Sequence, residues 1–175
     1  MEARHSRLSA VSSAALAAAG HRAGLLVANN VFAHGPDLND FTAGLATALK
    51  PEGLLSIEVP HLLNLIERVE FDTIYHEHFS YFSLLSAERV LKAHGLKVFD
   101  VEELARHGGS LRIWAAHQDQ TRNESARLLA LRHREQAAGL HRPEGYLGFE
   151  AKVQRCRESL VQFLADASTR GVRVA

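Results

Sequence analysis

Apolar and polar residues follow two different periods along the chain, which predicts a mixture of helices and strands. Residues 25–30 form a short apolar run with a polar end, typical of a buried strand whose tip meets solvent. Asp37 is a good helix N-cap, and the apolar residues after it recur at helical spacing as far as Leu49. Residues 54–59 predict a second strand, and the turn Lys50-Pro51-Glu52-Gly53 is expected to break the helix before it.

The rest of the chain is expected to alternate in the same way. The predicted elements are a small N-terminal helix over residues 8–20, a helix from Ser86 as N-cap to residue 94, strands over residues 96–101 and 110–116, helices over residues 122–138 and 144–169, and a last strand from Gly171. Their order, with strands and helices alternating before a two-strand finish, predicts an α/β layered domain with a mainly parallel sheet.

Composition and charge narrow the possible partners. The 20 Lys and Arg residues balance the 20 Asp and Glu residues, which argues against nucleic acid, whose binding rests on neutralised phosphates. Cys156 is the single cysteine, so the chain holds neither a disulfide framework nor a four-cysteine zinc site. No apolar run reaches 18 residues, so no membrane span is expected and the cytoplasm is the default location. Eleven histidines are more than packing requires.

Candidate chemistry gathers where the predicted strands end, since ligands of open α/β sheets sit beyond the carboxyl ends of the strands. The first strand runs into Asn29-Asn30-Val31-Phe32-Ala33-His34 and the second ends at His61. The densest group lies in residues 71–83, where Tyr75-His76-Glu77-His78 stands among aromatic residues. Histidine titrates near neutrality and suits a general base, and apolar neighbours tune the acidity of such groups.

Other interpretations of these residues remain open. His76 and His78 are two apart, so on an extended backbone they would face one side and could ligate a metal, although no third ligand is evident nearby. They could also be structural histidines, hydrogen-bonded beneath a loop. Asn30 could be a turn residue, His34 a loop residue and Arg112 a surface ion-pair partner.

Several motifs, taken together, resemble a known family. In chain order they are Asn29-Asn30-Val31-Phe32-Ala33-His34, Pro36-Asp37-Leu38, Leu49-Lys50-Pro51-Glu52-Gly53, residues 71–83 and His107-Gly108-Gly109-Ser110-Leu111-Arg112. This set resembles the S-adenosylmethionine-dependent sugar C-methyltransferases, which methylate C3 of nucleotide-linked 4-keto-deoxysugars. The resemblance extends over nearly the whole chain from about Leu8.

The resemblance implies an architecture. The chain would hold the C-terminal half of a Rossmann-like class I methyltransferase sheet, with a partial methyltransferase core over residues 1–120. Residues 121–175 would form a helical linker and the start of a further α/β domain. The glycine-rich loop that binds S-adenosylmethionine in this family is not found, and zinc is expected only in a four-cysteine region N-terminal to the chain. The chain is therefore interpreted as a central fragment, expected to have negligible methyltransferase activity alone.

The resemblance also implies site residues. His78 matches the family's general base, Tyr75 and Glu77 match neighbouring catalytic positions, and no metal is expected. The remaining assignments are His34 and Asn30 near the keto oxygen of the sugar, Ser110 and Arg112 at the nucleotide diphosphate, and Ala28 and Asn29 at the methionine part of S-adenosylmethionine.

Two other classes of function stay open beside this one. The chain could be a non-catalytic α/β module that binds a sugar nucleotide or a partner protein, or a metal-dependent hydrolase using His76 and His78. The expected partner is a small nucleotide-sugar substrate, and the sequence does not determine an oligomeric state.

Overall fold

The computed structural model describes residues 9–106 and 108–174. The elements are α1 (Ala10–Ala18), β1 (Ala23–Asn29), α2 (Leu38–Ala48), β2 (Leu49–Pro60), α3 (Leu62–Arg68), α4 (Leu84–Ala93), β3 (Leu96–Leu104), β4 (Ser110–His117), α5 (Ala126–Ala137) and α6 (Phe149–Thr169). Short 3₁₀ turns lie at Phe32–His34, Phe71–Thr73 and Pro143–Tyr146. The α/β class predicted from the sequence is confirmed.

The four strands form one sheet in the order β1-β2-β4-β3. β1 pairs with β2 in parallel, whereas β4 lies antiparallel to both β2 and β3. β1, β2 and β3 therefore run in one direction. The prediction of a mainly parallel sheet is correct for strand direction but wrong for pairing, because β4 is inserted between β2 and β3 and leaves one parallel pair in the described sheet.

One face of this sheet carries the apolar core. Ala28, Ile57, Ile113 and Val101 lie side by side across the four strands in register, and all four are buried. α4 contacts β3 and α2 contacts β2, and Leu128 and Leu131 of α5 belong to the same buried cluster. The sheet and its helices thus hold the carboxyl ends of β1 and β2 in fixed positions.

The turn predicted at residues 50–53 does not separate a helix from a strand. α2 ends at Ala48, and β2 begins at once with Leu49. The pairing of β1 with β2 jumps from Leu49 to Leu54, so the intervening residues form a bulge. Pro51 has no N–H to offer a ladder, and a bulge is where a strand tolerates it.

Three helix starts and one strand also differ from the prediction. α4 has Ser83 as its N-cap, because Ser86 takes the third helical position and closes a capping box with it. α5 begins only after Ser125 and α6 only after Gly148. Residues 172–174 form no strand. The apolar side chains of α6 are largely exposed, and Leu160 is 58% exposed.

An ion pair helps to dock α5 onto the sheet. Arg127 on α5 donates hydrogen bonds to the carboxylate of Asp100 on β3. The hydrogen bond from Arg127 lowers the pKa of Asp100 to about 2, against the opposing effect of burial. Since its ordinary value is 3.8, the carboxylate stabilises the fold while it is ionised.

This pair predicts a pH dependence of stability. A carboxylate with a depressed pKa in the folded state contributes stability above its unfolded pKa and loses it as the pH falls towards the folded value. We expect Asp100→Asn to lower the free energy of unfolding at about pH 5, and this difference from the wild type to shrink between about pH 4 and pH 2. Urea unfolding at several pH values measures it. Arg127→Ala should weaken the dependence of the free energy of unfolding on pH in the same acid range. A difference between Asp100→Asn and the wild type that stays constant down to about pH 2 would contradict the assignment.

No helix within residues 9–106 and 108–174 is both long and apolar enough to cross a membrane.

Candidate active site

A cavity of about 680 Å³ opens at the carboxyl ends of β1 and β2. Its walls come from the loop after β1, the end of β2, the segment before α4 and the loop before β4. The lining residues are Asn30, His34, Pro60, Glu70, Asp72, Thr73, Tyr75, His78 and Gly108. Four residues assigned from the sequence, Asn30, His34, Tyr75 and His78, therefore meet in one place.

The loop after β1 is held by hydrogen bonds to β2 and to the segment before α4. Asn30 has a left-handed backbone (φ +52°), which asparagine tolerates better than most residues, and its N–H donates to the Glu58 carbonyl at 2.8 Å. Phe32 and Ala33 are buried, and the Ala33 carbonyl accepts the N–H of Phe79 at 2.9 Å. These contacts join the loop carrying Asn30 and His34 to the segment carrying His78.

His78 lies at the centre of an aromatic cluster. The His78 ring lies 4.3 Å from the Tyr75 ring between centroids, and the His34 ring meets it edge-on at 5.0 Å. Tyr81 approaches from another side, with its ring centroid 5.7 Å away. The imidazole is thus packed among three rings at the cavity.

The hydrogen bonds of His78 determine which ring nitrogen is basic. Nδ1 lies 3.2 Å from the Thr73 carbonyl oxygen, which only accepts, so Nδ1 carries the proton. In the neutral ring Nε2 then holds the free electron pair, and it accepts the Tyr75 hydroxyl at 3.2 Å. The arrangement presents Nε2 as a base with a hydroxyl donor beside it.

The segment around His78 is a turn and not an extended strand. The N–H of His78 donates to the Tyr75 carbonyl at 3.1 Å, which places His76 and Glu77 at the exposed tip. The extended backbone on which the metal interpretation rested is therefore wrong. Neither ring nitrogen of His78 is free, and among residues 9–106 and 108–174 no three His, Cys, Asp or Glu side chains come together as metal ligands would.

Glu77 has no hydrogen bond or ion pair with an imidazole among the residues that the structure describes. No hydrogen bond or ion pair joins Glu77 to the residues that the structure describes, and its side chain is exposed. The Thr73 carbonyl occupies the orienting position that a carboxylate would otherwise fill.

Ser110 and Arg112 lie outside the cavity lining. Arg112 sits in register between Glu58 and Glu102 on the neighbouring strands and donates to both carboxylates, at 2.9 and 3.3 Å. Glu58 is 1% exposed, and removing the partner of a buried charge is strongly unfavourable. The geometry therefore shows Arg112 as an ion-pair partner within the sheet, and Ser110 is buried at the start of β4.

Ala28 and Asn29 end β1 beside the cavity. Ala28 is buried in the core, so it can offer a ligand only its backbone. Asn29 is exposed and can offer its side-chain amide.

Sequence reasoning assigned no role to five residues that line the cavity: Pro60, Glu70, Asp72, Thr73 and Gly108. Asp72 and Thr73 stand inside the block of residues 71–83, and Gly108 stands in the last motif. Their position in these motifs was a usable signal. The role of Thr73 was not readable, because it acts through its backbone carbonyl.

Gly109 closes the cavity loop against α3. Its φ of +127° is a conformation that glycine alone adopts readily, and an added Cβ would overlap the amide of the buried Asn64. We expect Gly109→Ala to lower the free energy of unfolding by about 2–5 kcal/mol, from backbone strain and overpacking together. Gly20→Ala is the matched control, because Gly20 has φ +80° and nothing within 4 Å, and it should cost only about 1–2 kcal/mol. Equal losses of stability for the two variants in urea unfolding would show that the Asn64 side chain moves aside at no cost in free energy.

Two known families match successive parts of this chain. A methyltransferase domain family matches residues 3–101, which include β1, β2, the whole of residues 71–83 and α4. A C-methyltransferase C-terminal domain family matches residues 105–175. The chain belongs to the S-adenosylmethionine-dependent C-methyltransferase family. Membership of a C-methyltransferase family, which the sequence motifs predict, is therefore confirmed.

Among curated C-methyltransferases, NovU from Streptomyces niveus is 36% identical to this chain over 154 residues. That match covers 86% of this chain and 36% of NovU, so the chain spans about a third of the relative's length.

Solved methyltransferase structures resemble the chain at low identity. The 1,6-didemethyltoxoflavin-N1-methyltransferase of Burkholderia thailandensis, with bound S-adenosylhomocysteine, is 18% identical with a TM-score of 0.45, over 57% of this chain and 45% of that one. The magnesium protoporphyrin IX methyltransferase of Synechocystis PCC 6803, with bound SAH, is 10% identical with a TM-score of 0.43, over 56% and 46%.

Proposed function

We propose that the protein takes part in C-methylation at C3 of a nucleotide-linked 4-keto-deoxysugar, with S-adenosylmethionine as methyl donor. The observation that carries the proposal is His78, whose Nδ1–H is held by the Thr73 carbonyl while Nε2 is presented as a base at the cavity. Methylating the carbon beside a ketone requires such a base, and membership of the C-methyltransferase family supports this chemistry.

The first step is removal of a proton from C3. The C3–H bond breaks, the proton goes to Nε2 of His78, and the electron pair moves into the enolate formed with the C4 ketone. As the ring becomes cationic, its Nδ1–H remains bonded to the Thr73 carbonyl, which favours the charged ring. A well-placed general base is worth about 10²–10⁴ in rate.

The second requirement is a donor for the enolate oxygen. His34 and Asn30 lie on the loop opposite His78, and both line the cavity. The Tyr75 hydroxyl, which in the free protein donates to His78, is a third donor once Nε2 holds a proton. Donors aimed at a developing negative charge stabilise the transition state most effectively in a confined site.

The methyl donor would meet this chain at the end of β1. The exposed amide of Asn29 and the backbone of Ala28 fit a contact with the methionine part of S-adenosylmethionine. When bound, the cofactor supplies the methyl group.

We retain Glu77 as a proposed catalytic residue, because it matches the family pattern and stands two residues from Tyr75 on the same turn.

The proposal is tested by proton exchange, which requires no methyl donor. The protein is incubated in D₂O with a nucleotide-linked 4-keto-6-deoxysugar, and deuterium at C3 is followed by NMR. We expect exchange faster than in buffer alone, and none with the corresponding 4-hydroxy sugar, in which C3–H is not acidic. Exchange at the buffer rate would contradict the proposal.

A further inference from the structure

A fully buried carboxylate on α5 joins three elements that surround the candidate active site. Glu135 is 0% exposed, and its Oε1 lies 2.9 Å from Nε2 of His61 and accepts the N–H of Leu84 at 2.8 Å. Its Oε2 accepts the N–H of Leu85 at 2.9 Å. Since a carboxylate only accepts, the His61 Nε2 carries a proton, and Glu135 faces three donors.

Two of these donors form the beginning of α4. The first N–H groups of a helix have no partner within the helix. Ser83 caps the N–H of Ser86, and Glu135 takes those of Leu84 and Leu85, so three successive donors are satisfied. A negative charge at this end of a helix is also favoured by the helix dipole.

The third donor, His61, stands where β2 meets the cavity. It follows Pro60, a lining residue, and its N–H donates to the Gly109 carbonyl at 3.0 Å, next to the lining residue Gly108. His61 also forms a parallel bridge with Phe82, and the N–H of Leu62 donates to the Phe82 carbonyl at 3.0 Å.

Phe82 is the point at which the segment carrying His78 re-enters the core. It is 3% exposed, lies four residues after His78, and its ring packs against Phe32 at 4.8 Å between centroids. The segment from Tyr75 to Ser83 is thus fixed at its C-terminal end by His61 on one side and by the start of α4 on the other. Glu135 forms hydrogen bonds with His61 and with the start of α4.

We propose that Glu135 is a positioning residue for the candidate active site. Glu135 lies in the region matched by the C-terminal domain family. It holds the junction of β2 and α3 and the start of α4 at a fixed separation. This separation in turn fixes the position of His78. The proposal rests on the proposed function only in calling the cavity catalytic.

Substituting glutamine exposes this role with little change of volume. An amide has one accepting and one donating group, so Glu135→Gln sets its NH₂ against either the Leu85 N–H or the donors at Oε1. One of the two anchors must shift. Glu88→Gln is the matched control, because the Glu88 carboxylate also accepts two bonds between α4 and α5, from Arg132 at 2.7 and 3.2 Å, away from the cavity.

The test follows the imidazole signals of His78 by ¹⁵N NMR on the whole chain. The wild type should show the pattern of a ring protonated at Nδ1, as its bond to Thr73 requires. We expect Glu135→Gln to replace this pattern by a mixture of both tautomers, and Glu88→Gln to leave it unchanged. Unchanged His78 signals in Glu135→Gln, or equal changes in the two variants, would overturn the proposal.

A second pair of variants applies if Glu135→Gln does not fold. His61→Gln keeps an N–H donor near the position of Nε2 and should preserve the His78 pattern, whereas His61→Leu should lose it. Equal behaviour of these two variants would also overturn the proposal. The NMR readout uses no substrate, so a failure of C3 exchange in the wild type would contradict the proposed function and leave this inference standing.

Discussion

Replacing His78 by alanine is expected to lower the rate of deuterium exchange at C3 of the keto sugar by about 10²–10⁴-fold, the usual contribution of a general base. The reason is that Nε2 of His78 is the basic nitrogen at the cavity, with Nδ1–H committed to the Thr73 carbonyl. Binding of the sugar nucleotide should change little, since the side chain accepts a proton and is not the main contact. Exchange followed by NMR, with binding followed by calorimetry, separates the two.

His76→Ala is the control for this variant. His76 lies two residues away on the same turn, is exposed, and has no assigned chemistry. Its replacement should leave the exchange rate within a few-fold of the wild type. If His78→Ala exchanged as fast as His76→Ala, His78 would not be the base.

Replacing Glu135 by alanine is expected to cause the largest loss of stability among these variants. The change leaves His61 buried without its partner and removes the acceptor of two N–H groups of α4. Leaving a buried donor without its acceptor costs about 1–3 kcal/mol in the free energy of unfolding, and here three donors lose the same acceptor. Urea unfolding monitored by circular dichroism measures the loss.

Arg134→Ala provides the comparison, because it removes the neighbouring side chain on the same helix. Arg134 pairs with Glu103 at 2.8 Å, but the two side chains are 49% and 41% exposed. Exposed ion pairs contribute about 0–1 kcal/mol, so the loss should be small. A loss for Glu135→Ala no larger than that for Arg134→Ala would mean that water or a neighbouring donor replaces the carboxylate without cost.

Local signals were sufficient for much of the secondary structure. Asp37 caps α2 as predicted, since an N-cap acts on backbone groups only three residues away. The start of α4 was misplaced because two serines, Ser83 and Ser86, are both good caps and each bonds to the other. Sequence alone could not rank them. The decision came from the Glu135 carboxylate, which arrives from 50 residues away at the helical positions after Ser83.

Part of the candidate site could likewise be predicted from the sequence, and the rest was decided by the tertiary structure. The resemblance of the sequence motifs to the family assigned Asn30, His34, Tyr75 and His78 to one site, and the structure brings these four residues together. The sequence could not show that Arg112 lies between Glu58 and Glu102, since this depends on β4 being inserted in the sheet between β2 and β3.

The sequence by itself determined the chemical groups available to this protein and the family whose motifs they match, because residue types and short spacings are local properties. The tertiary structure alone decided how those groups are used. Whether His78 presents Nδ1 or Nε2 as a base depends on the carbonyl of Thr73, and the start of α4 depends on a carboxylate from α5. Both are contacts made through backbone groups, which every residue carries and which no sequence pattern can therefore distinguish.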